Sequence, residues 1–255
     1  MLTDSVVRDL AAFGPFFAVQ THSPGSLPCE PWQAMNELVE DPGVLMDRVA
    51  AVRSRLAAAG GRAPDGVEIR VAASVTHLGL VARLVSPALA VAVISGELLE
   101  IDDLASTRWQ RVVGGAFPLS VPQPVDTDAG SHHATPEPTP GRLAYLLASR
   151  VLDGPVHDLV EATVPLSVSR QVLWGNVASA VNGAATMIAT GRPAWANRSR
   201  MIASLLLDQP PLSDTSVGSA AGGFRRRSCC LIYRAAPNAA GAVCGDCVLS
   251  SDPPS

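Results

Sequence analysis

The chain contains no lysine: all 19 of its basic residues are arginine. So complete an absence reflects codon bias rather than function. Charge of either sign is sparse, at 16% of residues, and the balance is acidic, −4 at neutral pH. With a pI near 5.7, this argues against a general nucleic-acid binder. Long apolar runs are also missing. The longest, Leu84 to Gly96, is interrupted by Pro87 and falls short of the ~20 residues a membrane span needs, so no transmembrane protein is expected. The stretch from Gln171 to Gly191 lacks charges but carries Gln171, Asn176 and Asn182, and reads as a buried helix. No basic start leads into an apolar segment, so no signal peptide is expected and the cysteines should be reduced. No phosphate-binding glycine loop, Gly-x-Ser-x-Gly elbow or dinucleotide fingerprint occurs, so NAD(P)H or flavin should not bind directly.

What is present is apolar content of 47% over 255 residues, enough for a substantial core and too much for general disorder. Asp41-Pro42 opens the clearest helix, with Leu45, Val49, Val52 and Leu56 along one face and Gly60-Gly61 as its stop. Further helices are predicted from about Pro31 to Glu40, Arg70 to Val85, Pro87 to Ile94, Leu143 to Val151 and Arg170 to Thr190, and another after Pro193. Phe16 to Val19 reads as a strand and Trp109 to Val121 as a small hairpin. The predicted fold is mainly α with a small β element, a helical body followed by a C-terminal cysteine-cluster tail. Its organisation is an N-terminal helical region (1–125), a Pro-rich linker or loop (126–140) holding His132-His133, a helical core region (141–208), and a flexible Ser/Gly/Pro connector with the tail (209–255).

Cysteines carry the chemistry. Of the five, Cys29 stands alone and reads as a small buried hydrophobe. Cys229, Cys230, Cys244 and Cys247 crowd the C-terminus as C-C-x13-C-x2-C. Thiolates repel one another, so four in one short segment need something to share: a zinc ion, an iron–sulfur cluster or disulfides. Zinc favours two C-x2-C knuckles, which Cys244 and Cys247 supply and the adjacent Cys229-Cys230 do not. A 2Fe–2S cluster spreads its ligands over two irons and takes adjacent cysteines more readily. Disulfides need an oxidising compartment. Spacing leaves all three open.

The run RRRSCCLIYR (225–234), followed by CGDC (244–247), resembles the C-terminal signature of the FhuF-type ferric-siderophore reductases. Leu173-Trp174-Gly175-Asn176 is similar to a Trp-Gly-Asn segment in that family's helical region. The family's cysteine loop is C-C-x10-C-x2-C; the longer loop here costs little thermodynamically. The resemblance implies a 2Fe–2S cluster on Cys229, Cys230, Cys244 and Cys247 and one-electron reduction of ferric iron in a siderophore. Fe(II) would be released in the cytoplasm, with at most peripheral association at the inner face of a membrane. It also implies a separate electron-donor protein of ferredoxin or flavin-reductase type. Candidate substrate or donor contacts are Arg225, Arg226, Arg227, Tyr233, Arg234, Trp174 and Asn176. Each also has a plainer reading, as solvated charge or as packing. His77 and His157 read as structural residues. The alternatives are a zinc- or cluster-stabilised siderophore-binding protein without turnover, and an electron carrier with another target.

Overall fold

The computed structural model describes residues 2–101, 103–123, 138–219, 222–236 and 243–249. His132-His133 and most of the predicted Pro-rich linker lie outside them. In chain order the elements are α1 (Asp4–Ala12), β1 (Gln20–His22), β2 (Gln33–Ala34), α2 (Glu37–Glu40), α3 (Pro42–Ala59), α4 (Ile69–Ser95), β3 (Arg108–Trp109) and β4 (Leu119–Pro122). The second half adds α5 (Pro140–Leu147), a π-helical segment Ala148–Val156, α6 (His157–Thr163), α7 (Arg170–Gly191), α8 (Ala196–Leu207), β5 (Ser216–Ser219) and β6 (Gly222–Arg226). The fold is mainly α, with a cysteine-bearing tail.

Local chemistry sets several boundaries. Asp41 accepts from the Gly43 N–H at 2.8 Å, with Pro42 as the first helical residue of α3. Ser169 caps α7 in the same way, accepting from the Val172 N–H. The two helices predicted on either side of Ser86 are one: Pro87 lies inside α4. A helix-interior proline costs ~3 kcal/mol. Here Val85, Ala88, Leu89, Ala90, Val91 and Ala92 are all buried around it, and their packing holds the helix together. α4 and α7 pack against each other at the centre, with α8 beside both. These two helices are long and apolar enough to cross a membrane by length and composition, but both are largely buried within the protein.

The N-terminal half corrects other expectations. The predicted helix 31–40 is instead β2 followed by the single turn of α2, because Gln33 pairs with Trp109 in a sheet and the Met35 N–H reaches the Thr107 carbonyl. The strand expected at 16–19 falls one step later, at β1, which pairs parallel to β4. The hairpin predicted at 109–121 is present as antiparallel β3 and β4, within the order β1-β4-β3-β2. Cys29 is exposed, not buried: its Pro- and Ser-rich loop belongs to no element that would cover it.

Arg83 joins sheet and bundle. It is 1% exposed, and its guanidinium donates to the carbonyls of Phe117 (2.9 Å), Phe16 (2.6 Å) and Ala18 (2.8 Å). Arg83→Leu leaves three carbonyls without that donor. It is expected to destabilise the protein by about 3 kcal/mol or more, read as a lowered denaturant midpoint at unchanged m-value. A change below about 0.5 kcal/mol would show that Arg83 does not join the two parts.

Candidate metal centre

The connector expected to be flexible contains the β5–β6 hairpin, in which Ser216 pairs with Arg226 and Val217 with Arg225. Phe224 enters the main hydrophobic core. The chain then delivers Cys229 and Cys230 against the N-terminal turns of α4 and α7. All five cysteines are free thiols. Cys230 and Cys244 face each other with their sulfurs 3.6 Å apart, and Cys229 and Cys247 lie within electrostatic reach of Cys244 or its partner. Both halves of the motif turn back on themselves. The Leu231 N–H donates to Cys229 Sγ and the Leu249 N–H to Cys247 Sγ, each at 3.3 Å. Leu231 reaches that turn in the left-handed region (φ 69°), a strained conformation for a branched side chain of the kind that collects at functional sites. The Cys247 N–H to Cys244 carbonyl bond, 3.0 Å, closes the C-x-x-C turn. Among the described residues, no three His, Cys, Asp or Glu side chains converge as ligands of a single metal ion.

Beneath the sulfurs lies a buried polar network. Arg226 is 1% exposed; its Nη2 donates to Asn176 Oδ1 at 2.7 Å and to the Val172 carbonyl at 3.1 Å. The Asn176 amide donates to the Ser74 carbonyl at 3.0 Å, and Ser74 Oγ donates to the Cys230 carbonyl at 2.9 Å. His77 completes the group: burial, then the charge of Arg226, lowers its pKa to about 3, so it is neutral. Burial lowers the Arg226 pKa, opposed by the thiols and Asp246 around it. Facing Cys244, the Cys230 thiol is lowered to about 6, while the same contact and burial push Cys244 up. Arg226 Nε has no hydrogen-bond partner among the described residues. A fixed cation with an unused donor, within electrostatic reach of Cys229, Cys230 and Cys244, suits an anionic multi-thiolate group.

One comparison bears on this geometry. Residues 226–249 match the FhuF 2Fe-2S C-terminal domain. No curated protein matches the chain. The FhuF-type match begins at the buried Arg226 and ends at Leu249, whose N–H meets Cys247, so it spans the whole of the thiol-bearing turn system. The domain description names a 2Fe–2S binding family, and the residues present fit such a group: two pairs of thiols, backbone N–H groups on two sulfurs, and buried positive charge.

The cysteine-bearing tail can seat closely because Gly175 has no side chain. A Cβ there would lie 2.3 Å from Ser228 Oγ and 3.0 Å from Arg226 Nη2. Ser228 Oγ is itself fixed, donating to the Gln171 carbonyl at 3.0 Å. Gly175→Ala is therefore expected to push the tail off α7, costing about 1–3 kcal/mol and lowering the iron content of the purified protein while far-UV helicity stays intact. Wild-type iron content in this variant would mean that the close seating is dispensable.

The remaining predicted contacts separate. Arg226 and Asn176 are buried, so neither can touch a substrate or a donor. Arg225 is half-buried, and Arg227 is exposed with its Nε on the Ser216 carbonyl. Arg234 pairs with Glu68 at 2.6 Å, and Arg62 reaches the Ala235 carbonyl, so the turn after Leu231 is clamped onto the start of α4. Tyr233 is half-buried on that turn. Trp174 is partly exposed, and its ring lies 6.4 Å from that of His157, which is a surface residue, not a core one. Ser74 and His77 were not legible as site residues: nothing in the sequence ties a serine of an apolar helix to a cysteine 156 positions away.

Proposed function

We propose that this protein is a ferric-siderophore reductase in which Cys229, Cys230, Cys244 and Cys247 hold a 2Fe–2S cluster. The observation that carries the reading is the FhuF 2Fe-2S match lying on a four-thiol tail in which Cys229, Cys230 and Cys244 act on a buried arginine. A bound 2Fe–2S cluster supplies one electron at a time. The substrate is Fe(III) in a chelate of hard oxygen donors. Accepting one electron makes it Fe(II), which such donors hold weakly and release. A separate reduced donor protein in the cytoplasm returns the electron. Arg226 holds positive charge where negative charge increases on reduction. Ser74 and Asn176 keep that cation and the Cys230 backbone in place, and the cover of α4 and α7 limits water on one side.

Arg225 and Arg227 stand at the outer edge of the tail in an otherwise acidic chain and steer an acidic donor. The Arg225→Gln/Arg227→Gln pair is expected to slow reduction by the donor severalfold at low salt and to flatten its salt dependence. Unchanged rate and salt slope would remove that role. The function is tested by single-turnover mixing: prereduced protein meets a ferric siderophore with a ferrous trap present. Formation of about one trapped Fe(II) per reduced cluster supports the reading, and a stable reduced protein beside intact chelate overturns it.

A further inference from the structure

Cys230 and Cys244 meet sulfur to sulfur at 3.6 Å. A tetrahedral metal bound to sulfur at ~2.3 Å holds two of its ligands ~3.8 Å apart. Thiols on the two different irons of a cluster must also span the distance between the irons, so they stand farther apart. The observed separation is therefore that of two ligands on one iron. The other two thiols complete the arrangement. Cys229 has Cys230 and Cys247 within electrostatic reach, and Cys244 has Cys230 and Cys247. The four run in a ring, Cys230–Cys244–Cys247–Cys229, with Cys229 and Cys247 as the edge opposite the close pair. These two are also alike: each sulfur accepts the N–H of the leucine two residues on, at 3.3 Å. The sequence neighbours Cys229 and Cys230 are not matched in this way. Cys230 is buried with its carbonyl on Ser74 Oγ, while Cys229 is half-buried and its sulfur turns back to Leu231.

We propose that Cys230 and Cys244 share one iron of the 2Fe–2S cluster and Cys229 and Cys247 the other, with Arg226 drawing the added electron to the first pair. The proposal rests on the cluster part of the reading above. The rival that spacing alone suggests gives one iron to Cys229 and Cys230 and the other to Cys244 and Cys247. Charge decides between the two irons. Arg226 acts most on Cys230, then on Cys244, and less on Cys229. Backbone N–H groups favour neither side: those of Leu231 and Leu249 serve Cys229 and Cys247, and those of Ile232 and Cys230 itself serve Cys230. Asp246, which Arg226 also attracts, stands in sequence between one ligand of each pair. Arg234 is taken by Glu68. When a reductant gives one electron, one Fe(III) becomes Fe(II) and no ligand bond breaks. The buried guanidinium stabilises that added negative charge at the iron of Cys230 and Cys244.

Proton NMR of the full-length, cluster-loaded protein, reduced with dithionite, reads the pairing directly. In a reduced 2Fe–2S cluster the β-protons of cysteines on Fe(III) shift less as temperature rises, and those of cysteines on Fe(II) shift more. The signals are assigned through neighbours: Ser74 marks Cys230, Leu231 marks Cys229 and Leu249 marks Cys247, which leaves Cys244. Cys230 and Cys244 should show the Fe(II) behaviour together, and Cys229 and Cys247 the Fe(III) behaviour. Cys229 grouped with Cys230, or with Cys244, would overturn the pairing. The same two pairs with their behaviours exchanged would overturn the role of Arg226. No siderophore enters this experiment, so a failure of the reductase reading is seen separately, in the trapped-iron assay. A protein without iron and sulfide is recognised by metal analysis before any spectrum is taken, and would overturn the cluster reading together with the pairing.

Discussion

Serine in place of any one of Cys229, Cys230, Cys244 or Cys247 is expected to lower the iron content of the purified protein by about tenfold or more and to bleach its visible absorption. Even residues that only orient a metal's ligands are worth about 10–100-fold in affinity. Cys230 and Cys247 are buried, so their loss also leaves a polar hydroxyl in a site shaped for sulfur. Cys29→Ser should change nothing, because Cys29 is exposed on a loop of the N-terminal half. Far-UV helicity should survive all five substitutions, since the core around α4, α7 and α8 is built from apolar side chains that do not depend on the thiols. Iron measured per chain alongside circular dichroism decides this. A colourless Cys29→Ser beside a fully coloured Cys230→Ser would reverse the assignment.

Arg226→Gln is expected to have the next largest effect, on potential and stability together. The reduced state carries one more negative charge than the oxidised one, so a nearby cation favours reduction. Removing it should lower the midpoint potential by on the order of 70 mV, the scale of a unit charge at ~10 Å through an effective dielectric of ~20. The same change takes a charged donor from the buried Asn176 Oδ1 and the Val172 carbonyl, costing about 1–3 kcal/mol. Asn176→Asp would keep an acceptor for Arg226 while adding negative charge, so it should lower the potential, and it also costs stability by removing the amide that donates to the Ser74 carbonyl. Redox titration with denaturant unfolding separates the two contributions. An Arg226→Gln protein with unchanged potential would reduce Arg226 to a packing role.

Much of this was legible in the sequence, and the gaps have physical causes. α3 and α7 were readable because capping residue, apolar stripe and stop all agree within each segment. The division of α4 at Pro87 was misread because burial on all sides outweighs a local breaker, which no window of sequence reports. The replacement of a helix by β2 came from pairing with a strand more than 70 residues away. At the site, the thiols and their family pattern were visible as residue types and spacing. The role of Arg226 was not. In sequence it is the middle of three identical arginines; in the fold it alone of the three is buried, because alternate residues of β6 face α7. The sequence makes Asn176 a candidate substrate or donor contact, but its partner is that arginine, a contact only the tertiary structure makes.

The central claim is tested most directly by the metal itself. The protein purified without oxygen should contain about two iron and about two acid-labile sulfide per chain with negligible zinc, and show a red-brown spectrum that bleaches on reduction. About one zinc per chain, no sulfide and no visible absorption would contradict the account.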